Sequence, residues 1–512
     1  MKIWSVIITA AVMLLASFTH AQSAVKPNVV LIYADDVGYG DISRNGATKI
    51  KTPNIDKIAA EGIRFTNSYA TSSTCTPSRY SILTGQYAWR KKNTSIAAGD
   101  ASSIIDVSQT TLASVMKDAG YQTSVIGKWH LGLGPQSGVD WNGEIKPGPL
   151  ELGFHYSFII PATPDRVPCV YVENHRVYNL DPNDPITVDY DKPVGNEPTG
   201  KTHPHLLKMM FSHNHDQTII DSVSRIGYMS GGKAAWWKDE LMADELTDRA
   251  KNFIVENKAK PFFLYFNIHD IHVPRVPNRR FAGKSGMGSR GDAILELDYS
   301  IGALLQVLDS LQLSKNTIVI FTSDNGPVLD DGYVDEAVEK LNGHTPAGSM
   351  RGGKYSKFEA GTRMPMVMKW PGVIKPNSVT DAMISQVDFV ASFAKLTGQP
   401  LKQDAAPDSF DMLDAMLGKT KKGRTNLIQH GTGGLAIIKG DWKYIEPSSG
   451  NPLIKNKNME TANNPLPQLY CLKTDIGERN NLAEKNPDKV NELAALLKKI
   501  RANKNERLSP SE

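Results

Sequence analysis

The chain has 512 residues, of which 40% are hydrophobic and 22% charged, and its formal net charge is +4. This length exceeds the size at which one hydrophobic core keeps growing, so we expect a large domain and a smaller one. The two fractions are ordinary for a soluble globular enzyme. The small net charge, carried by scattered basic residues, argues against nucleic acid or a membrane surface as a partner.

The N-terminus has the pattern of an export signal. Lys2 precedes an apolar run over residues 3–18, and Thr19-His20-Ala21 offers a small-x-small cleavage site. This pattern predicts a signal peptide over residues 1–21, cleaved after Ala21, and a mature protein that is periplasmic or secreted. Because the apolar run is short for a transmembrane anchor, we expect no stable membrane insertion.

Apolar runs rich in Val, Ile, Phe and Tyr alternate with helix-like stretches as far as residue 398. The runs predict buried strands over residues 28–34, 122–126, 262–266, 317–322 and 365–369. Helical periodicity predicts helices over residues 54–61, 111–119, 241–257 and 292–311. This alternation indicates an α/β domain over residues 26–398 with a mostly parallel sheet. The less regular residues 135–235 are predicted to form long surface segments over the sheet edge.

The remaining residues, 399–512, have the pattern of a smaller α+β unit. A connecting helix is predicted over residues 408–417, and short strands are predicted over residues 435–438, 442–445 and 469–472. Residues 486–502 have the periodicity of an amphipathic helix that begins at Pro487. A small antiparallel sheet packed against a helix accounts for this order.

Polar side chains follow four of the predicted strands directly. Ligands of open α/β sheets bind outside the carboxyl ends of the strands, so these side chains should converge on one crevice. In the order of their strands they are Asp35 with Asp36, Lys128 with His130, His269 with His272, and Asp324 with Asn325. The oxygen atoms of the first and last pairs suit Ca²⁺ or Mg²⁺. No Cys/His cluster has the spacing of zinc ligands, which disfavours a zinc hydrolase.

The sequence Cys75-Thr-Pro-Ser-Arg79-Tyr-Ser-Ile-Leu-Thr-Gly85 has the features of a helix that begins at a reactive side chain. Pro77 suits the first helical turn, and Gly85 ends the helix. Arg79 lies one turn after Cys75 and can point back toward the same helix end. Because a helix N-terminus carries free N–H donors and partial positive charge, this segment predicts a site that binds an anion.

The cysteines are too few for a disulfide framework. The chain has three, Cys75, Cys169 and Cys471. A single bridge between Cys169 and Cys471 stays open on the sequence alone. Cys75 is not expected in a bridge if it is the reactive residue.

Cys-x-Pro-Ser-Arg followed by Leu-Thr-Gly resembles the maturation signature of the type I sulfatases, and Gly120–His130 resembles their second signature. The resemblance extends from about residue 28 to residue 396. It implies the alkaline phosphatase-like fold, in which helices cover both faces of the sheet. It also implies hydrolysis of sulfate esters, and conversion of Cys75 to formylglycine (3-oxoalanine) by a maturation enzyme.

The resemblance further assigns roles to individual residues. It implies one Ca²⁺ ion bound by Asp35, Asp36, residue 75, Asp324 and Asn325. It implies that Arg79 and the metal activate residue 75, that the sulfate oxygens are bound by two lysines, and that two histidines transfer protons. The lysines are Lys128 and Lys354, His272 protonates the leaving alcohol, and His130 hydrogen-bonds residue 75 and removes its proton when sulfate is expelled.

Polar side chains in the variable loops are candidates for contacts with a sugar. Residues 155–235 and 327–348 differ widely within the family and are expected to determine specificity. The candidates for substrate contacts are His213, His215, Asp216, Arg275 and His344. An exported sulfatase with long loops most resembles enzymes that desulfate polysaccharides, so a sulfated sugar is the expected substrate.

Two other functions stay open on the sequence. A phosphonate or phosphate monoester hydrolase of the same superfamily would use similar residues, and some phosphonate hydrolases also use formylglycine. A catalytically silent protein that binds sulfated glycans is the alternative from another class, although it would not need Lys128, His272 and Lys354 together. The sequence does not identify the sugar, the sulfate position, or endo or exo action.

Overall fold

The structure, a computed structural model of the chain, describes residues 26–503, so the predicted signal peptide lies outside the described residues. Its strands are, in chain order, β1 Asn28–Ala34, β2 Ile63–Phe65, β3 Ser68–Tyr69, β4 Gln122–Lys128, β5 Tyr156–Ile160, β6 Val172–Glu173, β7 Arg176–Val177, β8 Thr187–Asp189, β9 Ile219–Ile220, β10 Val223–Ser224, β11 Tyr228–Ser230, β12 Phe262–Asn267, β13 Thr317–Ser323, β14 Met366–Lys369, β15 Ser378–Thr380, β16 Ile384–Ser385, β17 Asn426–Gly431, β18 Gly434–Lys439, β19 Trp442–Ile445, β20 Leu453–Ile454, β21 Met459–Glu460 and β22 Gln468–Cys471. Its α-helices are α1 Pro53–Ala60, α2 Cys75–Thr84, α3 Leu112–Asp118, α4 Met242–Asn257, α5 Gly288–Ser310, α6 Glu359–Thr362, α7 Phe389–Thr397, α8 Leu413–Met416 and α9 Pro487–Ala502.

A large mixed sheet runs through the protein in the order β15-β2-β14-β13-β1-β12-β4-β5-β6-β7. Its central strands β13, β1, β12, β4 and β5 are parallel to one another. Every residue of β1, β12 and β13 is buried, as expected for strands covered on both faces. Helix α5 contacts both α1 and α4, and helices α2, α3 and α7 contact one another. The predicted α/β class with a mostly parallel sheet is confirmed.

The smaller sheet consists of four antiparallel strands in the order β17-β18-β19-β22. Helix α9 packs against β18 and β19, with Leu493, Leu497 and Ile500 buried in the contact. Pro487 is the first residue of this helix, as predicted. The predicted antiparallel sheet with a helix is therefore confirmed, with β17 as a strand that the sequence pattern did not predict.

Three predicted segments differ from the structure by more than two residues. Strand β5 lies inside the segment predicted as surface excursions and pairs with β4, so this segment contributes to the main sheet. Helix α5 begins at Gly288, before the predicted start at residue 292. Helix α8 is much shorter than the predicted 408–417 helix, because tertiary hydrogen bonds to Asp388 and Arg90 hold residues 408–410 outside it.

The three cysteines are free thiols in the structure, so the bridge between Cys169 and Cys471 is not formed. Cys75 and Cys169 are buried, whereas Cys471 is partly exposed. Among residues 26–503, no helix combines the length and the apolar character that crossing a membrane requires.

Candidate active site

Cys75 is the first residue of α2, and every residue of this helix is buried. The helix ends where Gly85 adopts a left-handed conformation with φ of 64°, as its sequence predicts. Burial raises the pKa of the Cys75 thiol, and Lys128 and Lys354 only partly oppose this rise. The unmodified side chain is therefore a neutral thiol at the mouth of a helix, and a thiol is a poor nucleophile.

The carboxyl ends of β1 and β13 bring two acidic pairs together. The amide of Asn325 donates a hydrogen bond to Asp36 Oδ1 (2.7 Å), and the backbone N–H of Asp36 donates to Asp324 Oδ1 (3.2 Å). Arg79 of α2 reaches the same group, since its Nε donates to Asp324 Oδ2 (3.0 Å). The neighbouring parallel strands β1 and β13 thus place all four side chains that were predicted as metal ligands beside the helix that carries Cys75.

Two buried lysines complete this group of charges. Lys128, at the end of β4, pairs with Asp35. Lys354 donates to Asp36 Oδ2 (2.9 Å) and to Asp331 Oδ2 (2.8 Å). Although burial opposes its charge, Asp331 and Asp36 raise the pKa of Lys354 well above its usual value. Lys354 therefore keeps its positive charge close to Cys75, where it favours the binding of an anionic group.

The unpaired atoms of the site fit a divalent cation. Asp35 Oδ1 and Asn325 Oδ1 are buried and have no hydrogen-bond partner in the described chain. Burial, reinforced by Asp324, raises the pKa of Asp35 to about 8, so this carboxylate lacks enough positive charge around it. Ligand atoms of Asp35, Asp36 and His272 lie within 4.8 Å of one another. A hard cation would supply both the missing charge and the missing contacts.

The histidines of the site are held as neutral rings. His130 Nε2 donates to the Ala97 carbonyl (2.9 Å), which leaves Nδ1 as a buried acceptor without a partner. His272 Nδ1 donates to the Val273 carbonyl (2.7 Å), and its Nε2 lies 3.8 Å from Asp36 Oδ2. Burial, with Lys128 close by, lowers the pKa of both rings. The same causes lower the pKa of His269 to about 3.

A cavity of about 150 Å³ opens above Cys75, and we call it the catalytic cavity. Its lining includes His272 and Lys354, which the sequence predicted, and His213 and His215 from the variable loop. Sequence reasoning missed several polar residues that also line it, because they belong to loops without a periodic pattern. These residues are Asp165, Arg166, Asn214, Asp331, Tyr355 and Lys457.

Asp165 and Arg166 form a charged wall of the catalytic cavity. Arg166 Nη1 lies 3.0 Å from both carboxylate oxygens of Asp165. His215 Nε2 lies 3.0 Å from Asp165 Oδ2, so the histidine is fixed in its orientation. A cis proline peptide directly follows this pair at Val167. The dipeptide Asp-Arg in a Pro-rich segment was the only sequence signal that could have pointed to this wall.

Arg275 and His344, which the sequence suggested for substrate contacts, instead bind other groups within the protein. Arg275 donates to the carbonyls of Ile271, Val328 and Leu329 and pairs with Asp335, which uses its donors inside the protein. His344 Nε2 lies 2.7 Å from Asp41 Oδ1, in a buried group with Arg290. Neither residue lines the catalytic cavity, and nor does Asp216. Only His213 and His215 of the five candidates line it.

Buried cations, a helix N-terminus and a side chain at its mouth define a site for the anionic group of an ester. Comparison with known proteins specifies this class. The sulfatase family model matches residues 27–399, and the chain belongs to the sulfatase family. It is therefore a sulfuric ester hydrolase.

Individual relatives match almost the whole chain. The chain is 55% identical over 483 residues to an N-acetylgalactosamine-6-O-sulfatase of Bacteroides thetaiotaomicron. This match covers 94% of each protein. It is 32% identical to human arylsulfatase A, over 92% of this chain and 86% of that protein. A solved structure from work on glycosaminoglycan metabolism by Bacteroides thetaiotaomicron superposes with a TM-score of 0.92 at 54% identity, over 93% of this chain and 100% of that one.

Proposed function

We propose that this protein hydrolyses the 6-O-sulfate ester of N-acetylgalactosamine in sulfated glycans, as an exported enzyme with formylglycine at position 75 and one bound Ca²⁺ ion. The observation that carries the proposal is the convergence of the two acidic pairs, Arg79, Lys128 and Lys354 on the N-terminus of α2. Each of these side chains is buried, and together they surround the position that the maturation signature singles out.

Residue 75 and the cation supply the chemistry that the amino acids of the site lack. Asp35, Asp36, Asp324 and Asn325 would hold Ca²⁺, whose positive charge favours ionisation of a nearby hydroxyl. Formylglycine, once hydrated, offers a hydroxyl nucleophile and a second hydroxyl that allows sulfate to be expelled. The neutral thiol of unmodified Cys75 offers neither, which supports the need for maturation.

Lys128 and Lys354 would bind and orient the sulfate group. Lys128 and Lys354 present ammonium groups that are already fixed by carboxylates, so they need little rearrangement when the anion enters. Arg79 is fixed in the same way by Asp324. The charge of the lysines would stabilise the negative sulfate oxygens in the transition state, whereas Arg79, with the cation, would favour ionisation of the hydroxyl at residue 75.

The two histidines are suited to opposite proton transfers. His130 Nδ1 has no hydrogen-bond partner among the described residues, and the lowered pKa keeps the ring neutral, so this nitrogen has a free lone pair for a proton from residue 75. His272 carries its proton on Nδ1, so it must gain a second proton on Nε2 before it can donate to the leaving alcohol. A bound sulfate adds negative charge beside His272 and therefore raises its pKa toward the range in which this is feasible.

The sugar is inferred from the relative that is 55% identical over 94% of both chains. The test is the release of sulfate by the mature protein from three monosaccharides: N-acetylgalactosamine 6-sulfate, N-acetylgalactosamine 4-sulfate and N-acetylglucosamine 6-sulfate. We expect the first to have the highest kcat/KM. Turnover of either of the other two without turnover of the first would refute the proposed sugar, and faster hydrolysis of a matched phosphate ester would refute the proposed reaction.

A further inference from the structure

Asp331 is a buried carboxylate of the catalytic cavity, and the proposed mechanism does not use it. It belongs to the loop after β13 and lines the cavity together with Cys75 and Lys354. Lys354 Nζ donates to its Oδ2 (2.8 Å), the Tyr355 hydroxyl donates to its Oδ1 (3.1 Å), and Lys457 pairs with the same oxygen. Because both carboxylate oxygens have donors, Asp331 is held in one position.

The backbone at Tyr355 indicates that this arrangement is built into the fold. Tyr355 has a φ of 75°, a left-handed conformation that bulky side chains rarely adopt. Its backbone N–H donates to the Ser73 carbonyl (2.8 Å), and its carbonyl accepts from the backbone N–H of Thr432 (2.9 Å). Such a conformation costs free energy and persists only where its surroundings hold it. Tyr355 thus fixes the Asp331 carboxylate beside the cation that binds the anion.

Asp331 carries its negative charge close to the position of the anionic group of the substrate. Although burial opposes this charge, Lys354 and Lys457 lower the pKa of Asp331 below its usual value. An ammonium group has three N–H donors, and Lys354 uses two of them on Asp331 and Asp36. The third donor remains for the substrate. Because acceptors of one ammonium lie about 4–5 Å apart, the bound anion is a near neighbour of the Asp331 carboxylate.

The charges that line the catalytic cavity limit how much negative charge a bound group can carry. Among the described residues of its lining, three are cations (Arg166, Lys354 and Lys457) and two are carboxylates (Asp165 and Asp331). A fixed charge interacts with a ligand in proportion to the ligand's own charge. A sulfate ester carries one negative charge, whereas a phosphate monoester carries close to two at neutral pH. The Asp331 carboxylate therefore repels the phosphate about twice as strongly.

We propose that Asp331 makes the catalytic cavity select sulfate esters over phosphate monoesters, by limiting the positive charge around the bound anion. The inference rests on the proposed function, because the ester group must lie beside Lys354 in the catalytic cavity. Removal of the carboxylate would leave one more uncompensated positive charge there, and a ligand with two negative charges would gain most from it.

The test compares two ligands that differ only in the anionic group: N-acetylgalactosamine 6-sulfate as the substrate and N-acetylgalactosamine 6-phosphate as a competitive inhibitor. The measured quantity is the KM of the sulfate divided by the inhibition constant of the phosphate, at a pH of about 8, where the phosphate carries two charges. Asp331→Asn should raise this ratio about tenfold, because the neutral amide does not repel the second charge. Asp331→Glu retains the charge and should keep the wild-type ratio. A change that only displaced Lys354 would weaken both ligands and leave the ratio unchanged.

Two further variants separate this local charge from a general change. Lys457→Gln removes a cation that partly neutralises Asp331, so it should lower the ratio about threefold. This opposite shift tests the proposal even where Asp331→Asn fails to fold. Asp330→Asn alters the neighbouring carboxylate, which does not line the catalytic cavity and whose side chain is 33% exposed. It should change the ratio less than about twofold, because solvent and salt screen an exposed charge.

The results distinguish this inference from the proposed function. Hydrolysis of the sulfate with a ratio that Asp331→Asn leaves unchanged, or that Asp331→Glu raises as much as Asp331→Asn does, would overturn the role of Asp331 alone. An unchanged ratio in Lys457→Gln would overturn it as well. If the mature wild type releases no sulfate from N-acetylgalactosamine 6-sulfate, the proposed function itself is wrong and the inference is overturned with it.

Discussion

Two of the buried charged clusters of the protein differ in how closely a cation or a hydrogen-bond donor approaches their oxygen atoms. In the active-site cluster, at the ends of β1 and β13, Asp35 Oδ1 and Asn325 Oδ1 have no hydrogen-bond partner in the described chain. In the second cluster, between α6 and β19, Lys443 lies 3.0 Å from Glu359 Oε1 and 2.9 Å from Glu478 Oε1.

Glu478 Oε1 has this ionic contact but no hydrogen bond among the described residues, whereas the other two carboxylate oxygens of the second cluster accept hydrogen bonds. Glu359 Oε2 accepts from the Tyr69 hydroxyl (2.8 Å) and from Arg363 Nη1 (3.2 Å), and Glu478 Oε2 accepts from the backbone N–H of Glu359 (2.5 Å). A buried oxygen with neither a donor nor a cation close by costs free energy, so the two unpaired oxygens of the first cluster point to a ligand that completes them. The comparison therefore predicts that changes in the first cluster reduce activity, whereas changes in the second reduce stability.

The largest effect is expected from Cys75→Ala. This change removes the side chain that maturation would convert, and we expect turnover of sulfate esters to fall by more than about 10⁴-fold. The melting temperature should change little, since a small buried side chain is replaced by a similar one. Cys471→Ala, at a partly exposed position in β22, is the matched control and should retain activity. Retained turnover in Cys75→Ala would remove residue 75 from the mechanism.

His272→Ala should have the next largest effect, and its size should depend on the leaving group. Loss of a general acid lowers the rate by about 10²–10⁴-fold when the leaving group is an alcohol, as in a sugar. An aryl sulfate releases a much better leaving group, so its kcat should fall far less. Equal losses of kcat for sugar and aryl sulfates would contradict the role of His272 as the acid.

Lys443→Met tests the second cluster through stability. The change leaves Glu359 and Glu478 buried without their shared cation, and breaking a buried ion pair in this way costs about 3–5 kcal/mol of the free energy of unfolding. Denaturant unfolding measures this cost. Lys439→Met, which removes an exposed lysine of the neighbouring strand β18 that pairs with Glu492 of α9, should cost less than about 1 kcal/mol. Similar costs for the two variants would contradict the distinction.

The smallest effect is a pH dependence that comes from Glu478. Burial, reinforced by Glu359, raises the pKa of Glu478 from 4.5 to about 7. Between these pH values the folded protein binds a proton that the unfolded chain releases, so the free energy of unfolding decreases as the pH rises through this window. Glu478→Gln cannot titrate, and the wild type should lose about 1–3 kcal/mol more than this variant between pH 5 and pH 8. Parallel stability curves would contradict this assignment.

The sequence predicts the active-site cluster well because its residues occupy fixed positions after buried strands. Asp35, Lys128, His272 and Asp324 each follow an apolar run, and the parallel order of those strands brings them together. The residues that line the rest of the catalytic cavity lie in loops, where neither periodicity nor spacing shows which side chains face inward. Their positions follow from contacts between segments that are distant in the sequence.

Arg275 and His344 illustrate the limit of local reasoning. A cation near a catalytic histidine is a reasonable candidate for a substrate contact, but its partners decide its role. Asp335, which binds Arg275 inside the protein, lies 60 residues away from it in the sequence. Asp41, which binds His344, lies 303 residues away. The hydrogen bonds of Arg275 to the Val328 and Leu329 carbonyls instead hold the loop that follows β13.

The proposed mechanism requires a divalent cation beside residue 75, held by the unpaired oxygens of the active-site cluster. The measurement is the metal content of the purified, mature protein and of its Asp35→Asn variant after exhaustive dialysis. We expect about one Ca²⁺ ion per wild-type chain and loss of both the ion and the turnover in the variant. A wild-type protein that hydrolyses sulfate esters at its full rate without any divalent ion would contradict the account.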